Sequence, residues 1–424
     1  MLRRQKMKKG LLFVLVIALM CAPFAVFANA TPEKKGSEPI VLDFPTWQAE
    51  EAGFAEFWKT VIPQFEAQHP NVKINISQIP FSQFTDTLIT RYSAGDAPDI
   101  THIATRFFDQ FASQDWFENL DPYFKGTDIL SDWTGLEDAM LVDGHHQGLV
   151  LMGYGFVLYY NEAILNKAGV SVPTTVAELK AAVDKINALN DADISAYGTT
   201  TTQHNNAYND FANFIYGEGL TVVKNGKFYL NTPEVVAAVK DYNYVASNAP
   251  VGVTTEMLRQ LFIDGKVAMM IDGPFVAPLI EKADADLKPS LKIARVPFTQ
   301  IPGTISNSLH IAKDLPEERK RLAFDFIKIV AEKENQLLYT KYTKNPCGRM
   351  SVALEITDPN TKYIFEMGAE AVNTLPASKN LSQNYSKYTS LAVEHILQLQ
   401  KKGANVEAIL KAMENAMYSN SLEP

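Results

Sequence analysis

Apolar and polar positions change their period repeatedly along the first hundred residues of the globular part of the chain. Ile40-Val41-Leu42-Asp43-Phe44 is a short apolar run and predicts a buried strand. Phe54, Phe57, Trp58, Val61, Ile62 and Phe65 then recur at helical spacing. Pro63 falls inside that pattern, where a missing N–H and a ring clash should kink or divide the helix. Val72, Ile74 and Ile76 alternate with Lys73, Asn75 and Ser77, the mark of a half-exposed strand. A second helix is expected from about Ser82 to Tyr92. Gly95-Asp96-Ala97-Pro98 should end it, and Asp99-Ile100 should start a third strand. Strand, helix, strand, helix, strand predicts an α/β fold with parallel pairing.

The rest of the chain continues in kind. Gly148 to Tyr160 is apolar and aromatic and reads as extended. Thr175 with Glu178 forms a capping box that opens a helix running to about Leu189. Asn225-Gly226, set between Val222-Val223 and Phe228-Tyr229-Leu230, predicts a hairpin. Val235 to Val245 reads as a helix, and Val267 to Ile271 as a short strand closed by Gly273-Pro274. From Glu317 to about Tyr342 the chain reads as strongly helical, with Leu322, Phe326, Ile329 and Val330 on one face. Two more helices should follow between Tyr388 and Met417, parted at Lys402-Gly403.

The N-terminus changes the picture of where this fold resides. A basic stretch ends at Lys9, an apolar run extends from Leu11 to Phe27 around Pro23, and Ala28-Asn29-Ala30 supplies small residues for cleavage. This predicts a secretory signal over residues 1–30, a soluble mature chain, and a periplasmic or extracytoplasmic location. A membrane anchor is the rival reading, but the run is short for a span and holds a proline. Lipidation at Cys21 is a second rival, weakened by the long Met20 before it. Residues 31–38 (TPEKKGSE) read as a polar lead-in. The other cysteine, Cys347, has no partner after cleavage, so no disulfide supports the core.

With 424 residues, the length favours two domains. The formal charge is −9, and the first thirty residues carry five basic side chains and no acid. The remainder is therefore more acidic still, and nucleic acid and anionic membrane surfaces are excluded as expected partners. Catalytic signatures are missing: there is no GxSxG elbow, HExxH, P-loop or GxGxxG. His145-His146 would point to opposite faces of a strand and read as two solvated histidines, not a zinc site. Asp191, Asp193 and Ser195 have the opening spacing of a calcium loop. Ala196 and Thr202 stand where it needs glycine and glutamate, so this reads as a polar turn. No metal and no cofactor are expected. What does stand out is a set of aromatics beside glycines and amides: Trp47 after the first strand, Tyr154 in Gly153-Tyr154-Gly155, Tyr208 beyond His204-Asn205-Asn206, and Phe275 after Gly273-Pro274. Ring faces suit the C–H faces of a sugar, and polar side chains suit its hydroxyl rim. Each ring taken alone could equally be core.

The run Gly155 to Gly169 (GFVLYYNEAILNKAG) resembles the signature of the family 1 extracellular solute-binding proteins, the group that includes the maltose-binding protein. Phe65 to Ile74, Gly95 to Ile100, Val172 to Thr175 with Glu178-Leu179, and Phe262 to Phe275 (FIDGKVAMMIDGPF) are similar to further segments of that family, in the same order.

This resemblance implies a periplasmic-binding fold of type II, with two α/β lobes joined by crossing hinge strands and a ligand cleft between them. Lobe 1 would be 38–148 plus 308–352, and lobe 2 would be 149–307 plus 353–424. Crossings would fall near Leu149 to Tyr154, Gly303 to Leu309 and Met350 to Thr357. It also implies ligand contacts at Trp47, Gln48, Thr105, Arg106, Tyr154, Tyr208, Phe275, Asn307 and Arg349, with Phe275 standing where the family more often has tryptophan. The implied function is non-enzymatic. A monomeric extracytoplasmic subunit of an ABC importer would bind a mono- or oligosaccharide, close around it, and deliver it to the permease transmembrane subunits. The alternatives are the same role for another solute (a polyamine, a phosphorylated polyol or an amino-acid derivative) and a secreted glycan hydrolase. Arg106 and Arg349 together in the cleft would favour an anion, and a cluster of acids there would favour a cation.

Overall fold

The computed structural model describes residues 39–424. The expected signal over residues 1–30, with Cys21, and the polar lead-in lie outside the described residues. Nine strands organise the fold: β1 (Ile40–Thr46), β2 (Val72–Gln78), β3 (Ile100–Ala104), β4 (Leu149–Gly155), β5 (Val157–Asn161), β6 (Met269–Asp272), β7 (Leu291–Arg295), β8 (Pro302–Ile311) and β9 (Val372–Asn373). Two short hairpins add to them, Leu141–Val142 with His145–His146 and Val223–Lys224 with Lys227–Phe228.

β1 and β2 pair in parallel, Ile40 opposite Val72 through to Thr46 opposite Gln78, as the alternating pattern predicts. The helix between them, α1 (Phe54–Gln68), runs unbroken through Pro63. The ring sits on the exposed face, so the Lys59 carbonyl that loses its helical donor can be hydrated. Under α1, Phe44 meets Trp58 edge-on with centroids 5.0 Å apart, and Phe326 at 5.7 Å. β3 follows α2 (Phe81–Ser93), and its ladder partner is not a parallel neighbour but antiparallel β8.

β8 is the longest strand and the most connected. It pairs antiparallel with β3 on one side and β4 on the other, and parallel with β9 at its start. Its register against β4 slips between Ile305 and Asn307 and again between Asn307 and Ser308, a β-bulge. The segments expected as the first two crossings are thus β4 and β8, hydrogen-bonded to each other. The third, Met350–Glu355, is a short 3-10 helix.

β5 lies at the centre of a separate antiparallel sheet, flanked by β6 and β7. The helices of this part are α3 (Val176–Asn187), α4 (Asn205–Tyr216), α5 (Pro233–Ala246) and α6 (Thr255–Ile263); α5 packs on both α3 and α4, and Phe262 of α6 meets Tyr159 of β5 edge-on at 5.9 Å. The Thr175 hydroxyl caps α3 by accepting from the Glu178 N–H at 3.2 Å. Glu178 reaches back to Thr174, one residue earlier than the expected box requires. Asn225 and Gly226 turn the predicted hairpin with φ of 53° and 69°. The helical stretch expected from Glu317 is built of two helices, α7 (Glu317–Ala331) and α8 (Lys333–Thr343), with Glu332 at an extended ψ of 143° between them. After α9 (Pro359–Ala369), α10 (Tyr385–Leu399) and α11 (Val406–Ser419) end the chain as predicted.

His145 is exposed, as expected, while His146 is half-buried, and the two do not point apart. Both imidazole Nδ1 atoms reach one carboxylate, that of Asp121, at 2.8 Å. Among the described residues no group of three metal-ligating side chains converges. Cys347 is buried, and burial pushes its thiol up to about 12, which leaves it protonated and unreactive near neutrality.

Candidate ligand-binding cleft

A cavity of about 570 Å³ opens where the first three strands end. In a parallel α/β unit the carboxyl ends of the strands and the amino ends of the following helices leave such a crevice, with backbone and side chains free of sheet pairing. After β1 the chain gives Trp47, Glu50 and Glu51; after β2, Gln78, Pro80 and the first residues of α2, Phe81 and Ser82; after β3, Arg106. β4 and the residue after it give Tyr154 and Phe156, and the bulged part of β8 gives Thr304, Ser306 and Asn307. The opposite wall comes from Thr200, the first turns of α4 and α6, and the end of β6.

Five of the nine expected contacts line this cavity: Trp47, Arg106, Tyr154, Phe275 and Asn307. Trp47 is half-buried, one face stacked on His102 with centroids 4.1 Å apart, and edged by Phe81 and Phe84. Tyr154 and Phe275 meet edge-to-face at 5.1 Å. Gly273 makes that pairing possible, because a Cβ there would lie 2.7 Å from the Phe275 ring and 2.9 Å from the Tyr154 ring. Arg106 is 8% exposed. Its guanidinium lies over Phe81 at 5.4 Å and Phe107 at 5.6 Å, and donates to Asn206 Oδ1 at 3.4 Å. Arg106 Nε is buried and has no hydrogen-bond partner among the described residues, while the Asn307 side chain lies within reach of His102 and Tyr339.

The other four lie elsewhere, each for a visible reason. Gln48 is fully buried, turned inward from the rim that Trp47 occupies. Thr105 gives its hydroxyl proton to Ser308 Oγ at 3.2 Å beneath the cavity floor. Tyr208 sits on the apolar face of α4, its hydroxyl 3.0 Å from that of Tyr388. Asn206, Asn209 and Asp210, at i, i+3 and i+4 on the opposite face, reach the cavity instead. Arg349 is 5% exposed. It forks onto Asp128 at 2.9 and 3.0 Å, onto Asp132 at 3.0 Å, and donates from Nε to the Ala331 carbonyl at 2.9 Å. With its donors taken by these groups, it ties chain segments together away from the cavity.

Charge in the cleft is unevenly distributed, and sequence reasoning missed most of it. Arg259 on α6 forks onto Asp272 at the end of β6, Nε to Oδ2 at 2.7 Å and Nη2 to Oδ1 at 3.0 Å. Its guanidinium also lies over the Phe275 ring at 5.4 Å and 3.9 Å from Glu51. Glu50, Asp210 and Glu256 have no ion-pair partner among the described residues. Burial raises Glu51 to about 7, against the pull of Arg259. Burial also raises Asp210 to about 7, although the Thr199 hydroxyl and the Thr200 N–H both donate to it. A signal for these groups was present: Glu50-Glu51 directly follow the Trp47 turn, and the Asn206, Asn209, Asp210 stripe has helical period.

A family model described as bacterial extracellular solute-binding protein matches residues 48–337. A protein of Brucella abortus (strain 2308), named only as a binding protein, is 32% identical over 242 residues, which is 55% of this chain and 58% of that one. The chain thus spans 58% of the length of the curated relatives it matches at this level. An ABC substrate-binding protein of Listeria monocytogenes in complex with cycloalternan superposes with a TM-score of 0.77 at 22% identity, over 91% of this chain and 100% of that one. UgpB of Mycobacterium tuberculosis, in complex with glycerophosphocholine, superposes with a TM-score of 0.75 at 18% identity, over 91% and 98%. At such identities the likeness speaks for the fold, which is the type II periplasmic-binding arrangement expected above, two α/β lobes with a cleft between them. Since the matched model spans more than half of its length, this chain belongs to the bacterial extracellular solute-binding proteins.

Proposed function

We propose that the chain is the extracytoplasmic substrate-binding subunit of an ABC importer, and that it closes around a small polyhydroxylated solute, a carbohydrate, for delivery to the permease transmembrane subunits. The observation that carries this reading is the composition of the cavity wall. Rings from Trp47, Phe81, Tyr154, Phe156 and Phe275 alternate with amides and hydroxyls from Asn206, Asn209, Thr255 and Asn307. Rings cover the C–H faces of a sugar, and the polar groups bind its hydroxyls and reject a ligand that leaves one of them unpaired. The ligands named for two proteins of the same fold, an oligosaccharide ring and a glycerol phosphodiester, suit a receptor for small polar solutes.

In this reading the lobes are 38–148 plus 308–352 and 149–307 plus 353–424, and residues 1–30 are a cleaved export signal. Closure is binding without chemistry: solute contacts to both walls favour the closed form by as much as those contacts differ between forms. Small-angle scattering of the mature chain tests it. Addition of one member of a sugar and polyol library should shrink the radius of gyration, with calorimetry giving a matching saturable heat. Curves that stay superimposable across the library would remove the reading.

A second reading changes the solute class. Of the two arginines that together would favour an anion, Arg349 lies outside the cavity, while acids crowd inside it.

A further inference from the structure

We infer that the solute carries a protonated amine, seated among Glu51, Asp210, Glu256 and Asp272, with its hydroxyl-bearing part toward Arg106. This rests on the receptor reading above and narrows its solute class.

The cavity wall holds five carboxyl groups, Glu50, Glu51, Asp210, Glu256 and Asp272, against two guanidinium groups. One of those, Arg259, is committed: Asp272 takes two of its donors in a fork, and Glu51 and Glu256 add their fields to it. An anionic solute would have to displace Asp272 from a charge-assisted pair to reach Arg259. A neutral sugar could occupy carboxylate lone pairs through its hydroxyls, but it brings no charge to offset these acids, which must then take up protons or stay ionised without water when the cleft shuts. An ammonium supplies both the donors and the charge. The Asp272 charge acts on both Glu51 and Asp210, so a cation near these groups would favour the ionised form of both.

The Tyr154 hydroxyl feels the fields of both Arg106 and the Asp272–Arg259 pair, which makes its ring a neighbour of both charge types. Arg106 Nε is more than nine-tenths buried and unpartnered among the described residues, a donor suited to a hydroxyl group. No three ligating side chains gather closely enough to hold a metal ion among the described residues. That geometry suits a multi-donor ammonium against carboxylates and ring faces better than a compact divalent cation.

Calorimetry on ligand-stripped mature chain at pH 7.5 tests this with matched pairs that differ in one group: glucosamine and glucose, galactosamine and galactose, glucamine and sorbitol, and the β-1,4 disaccharides of glucosamine and of glucose. The expected result is that at least one amine binds and does so at least tenfold more tightly than its hydroxyl partner. Glu51→Gln and Glu256→Gln should each narrow that ratio severalfold. Equal or tighter binding by the neutral member overturns the inference while the receptor reading stands. So does an equal loss for both members in the two variants. If amines and neutral solutes alike give neither heat nor a change in scattering, both fall together.

Discussion

Arg259 grips Asp272 through two nearly parallel hydrogen bonds of 2.7 and 3.0 Å, on the wall of the cleft facing Trp47. The Asp272 side chain is 12% exposed. Arg259→Met therefore leaves a carboxylate buried and unpaired, and should lower unfolding free energy by roughly 3–5 kcal/mol. Arg259→Lys keeps the charge but loses the fork and should cost less. Urea denaturation of the three proteins checks the order.

The contribution of Glu51 to stability should fall as pH rises from about 4.5 to 7. Glu51 is held near 7 in the fold against an ordinary 4.5. Below 4.5 the carboxyl is protonated whether folded or not and contributes nothing. Between the two values the folded chain binds the extra proton, and above 7 the ion must be held in a site that disfavours it. The full penalty from this residue is on the order of 2–3 kcal/mol, and Asp210 adds to it in the same direction. Buried, neutral His102, His204 and His310, held down at about 3 to 4, push the other way between pH 4 and 6.5, so the readout is the comparison of wild type with Glu51→Gln. The substitution should raise the denaturant midpoint more at pH 8 than at pH 5, and an equal change at both would count against the burial of Glu51.

Tyr154 and Tyr208 should behave as opposites. Tyr154→Ala removes a ring from the cavity and should weaken solute binding at least tenfold. Tyr208→Phe deletes only the hydroxyl that meets Tyr388, so it should cost roughly 1 kcal/mol of stability and leave affinity unchanged. Calorimetry alongside thermal melts separates the two.

Gly273→Ala should weaken binding more than it destabilises the chain. Its methyl would meet the Phe275 and Tyr154 rings within 3 Å, and those rings must shift inside the cleft. Solute affinity against melting temperature is the readout.

The frame of this fold was legible in the sequence because hydrophobic period survives any context. The β1, α1, β2 unit, the Asn225-Gly226 hairpin and the two C-terminal helices stand where apolar spacing and turn chemistry put them. Misses came where a tertiary partner overrode a local rule. Pro63 is tolerated because its face is solvated, and β3 pairs with a strand two hundred residues away that no local pattern announces. The cleft was half legible. Rings flanked by glycine were found, but whether a residue on a helix faces solute or core depends on rotation, and Tyr208 and its neighbour Asn209 face opposite ways. Arg259 and Asp272 were missed because thirteen positions separate two groups that act as one.

A strand flexes most cheaply where its ladder is already interrupted. In β8 the interruption spans Ile305 to Ser308, and Ser306 and Asn307 are also walls of the cleft. Pressure on those two side chains is thus delivered to the softest rung of the one strand that stitches β3, β4 and β9 together. Occupancy and bending would then be a single mechanical event at one place in the backbone, with no relay of side chains needed to carry the message.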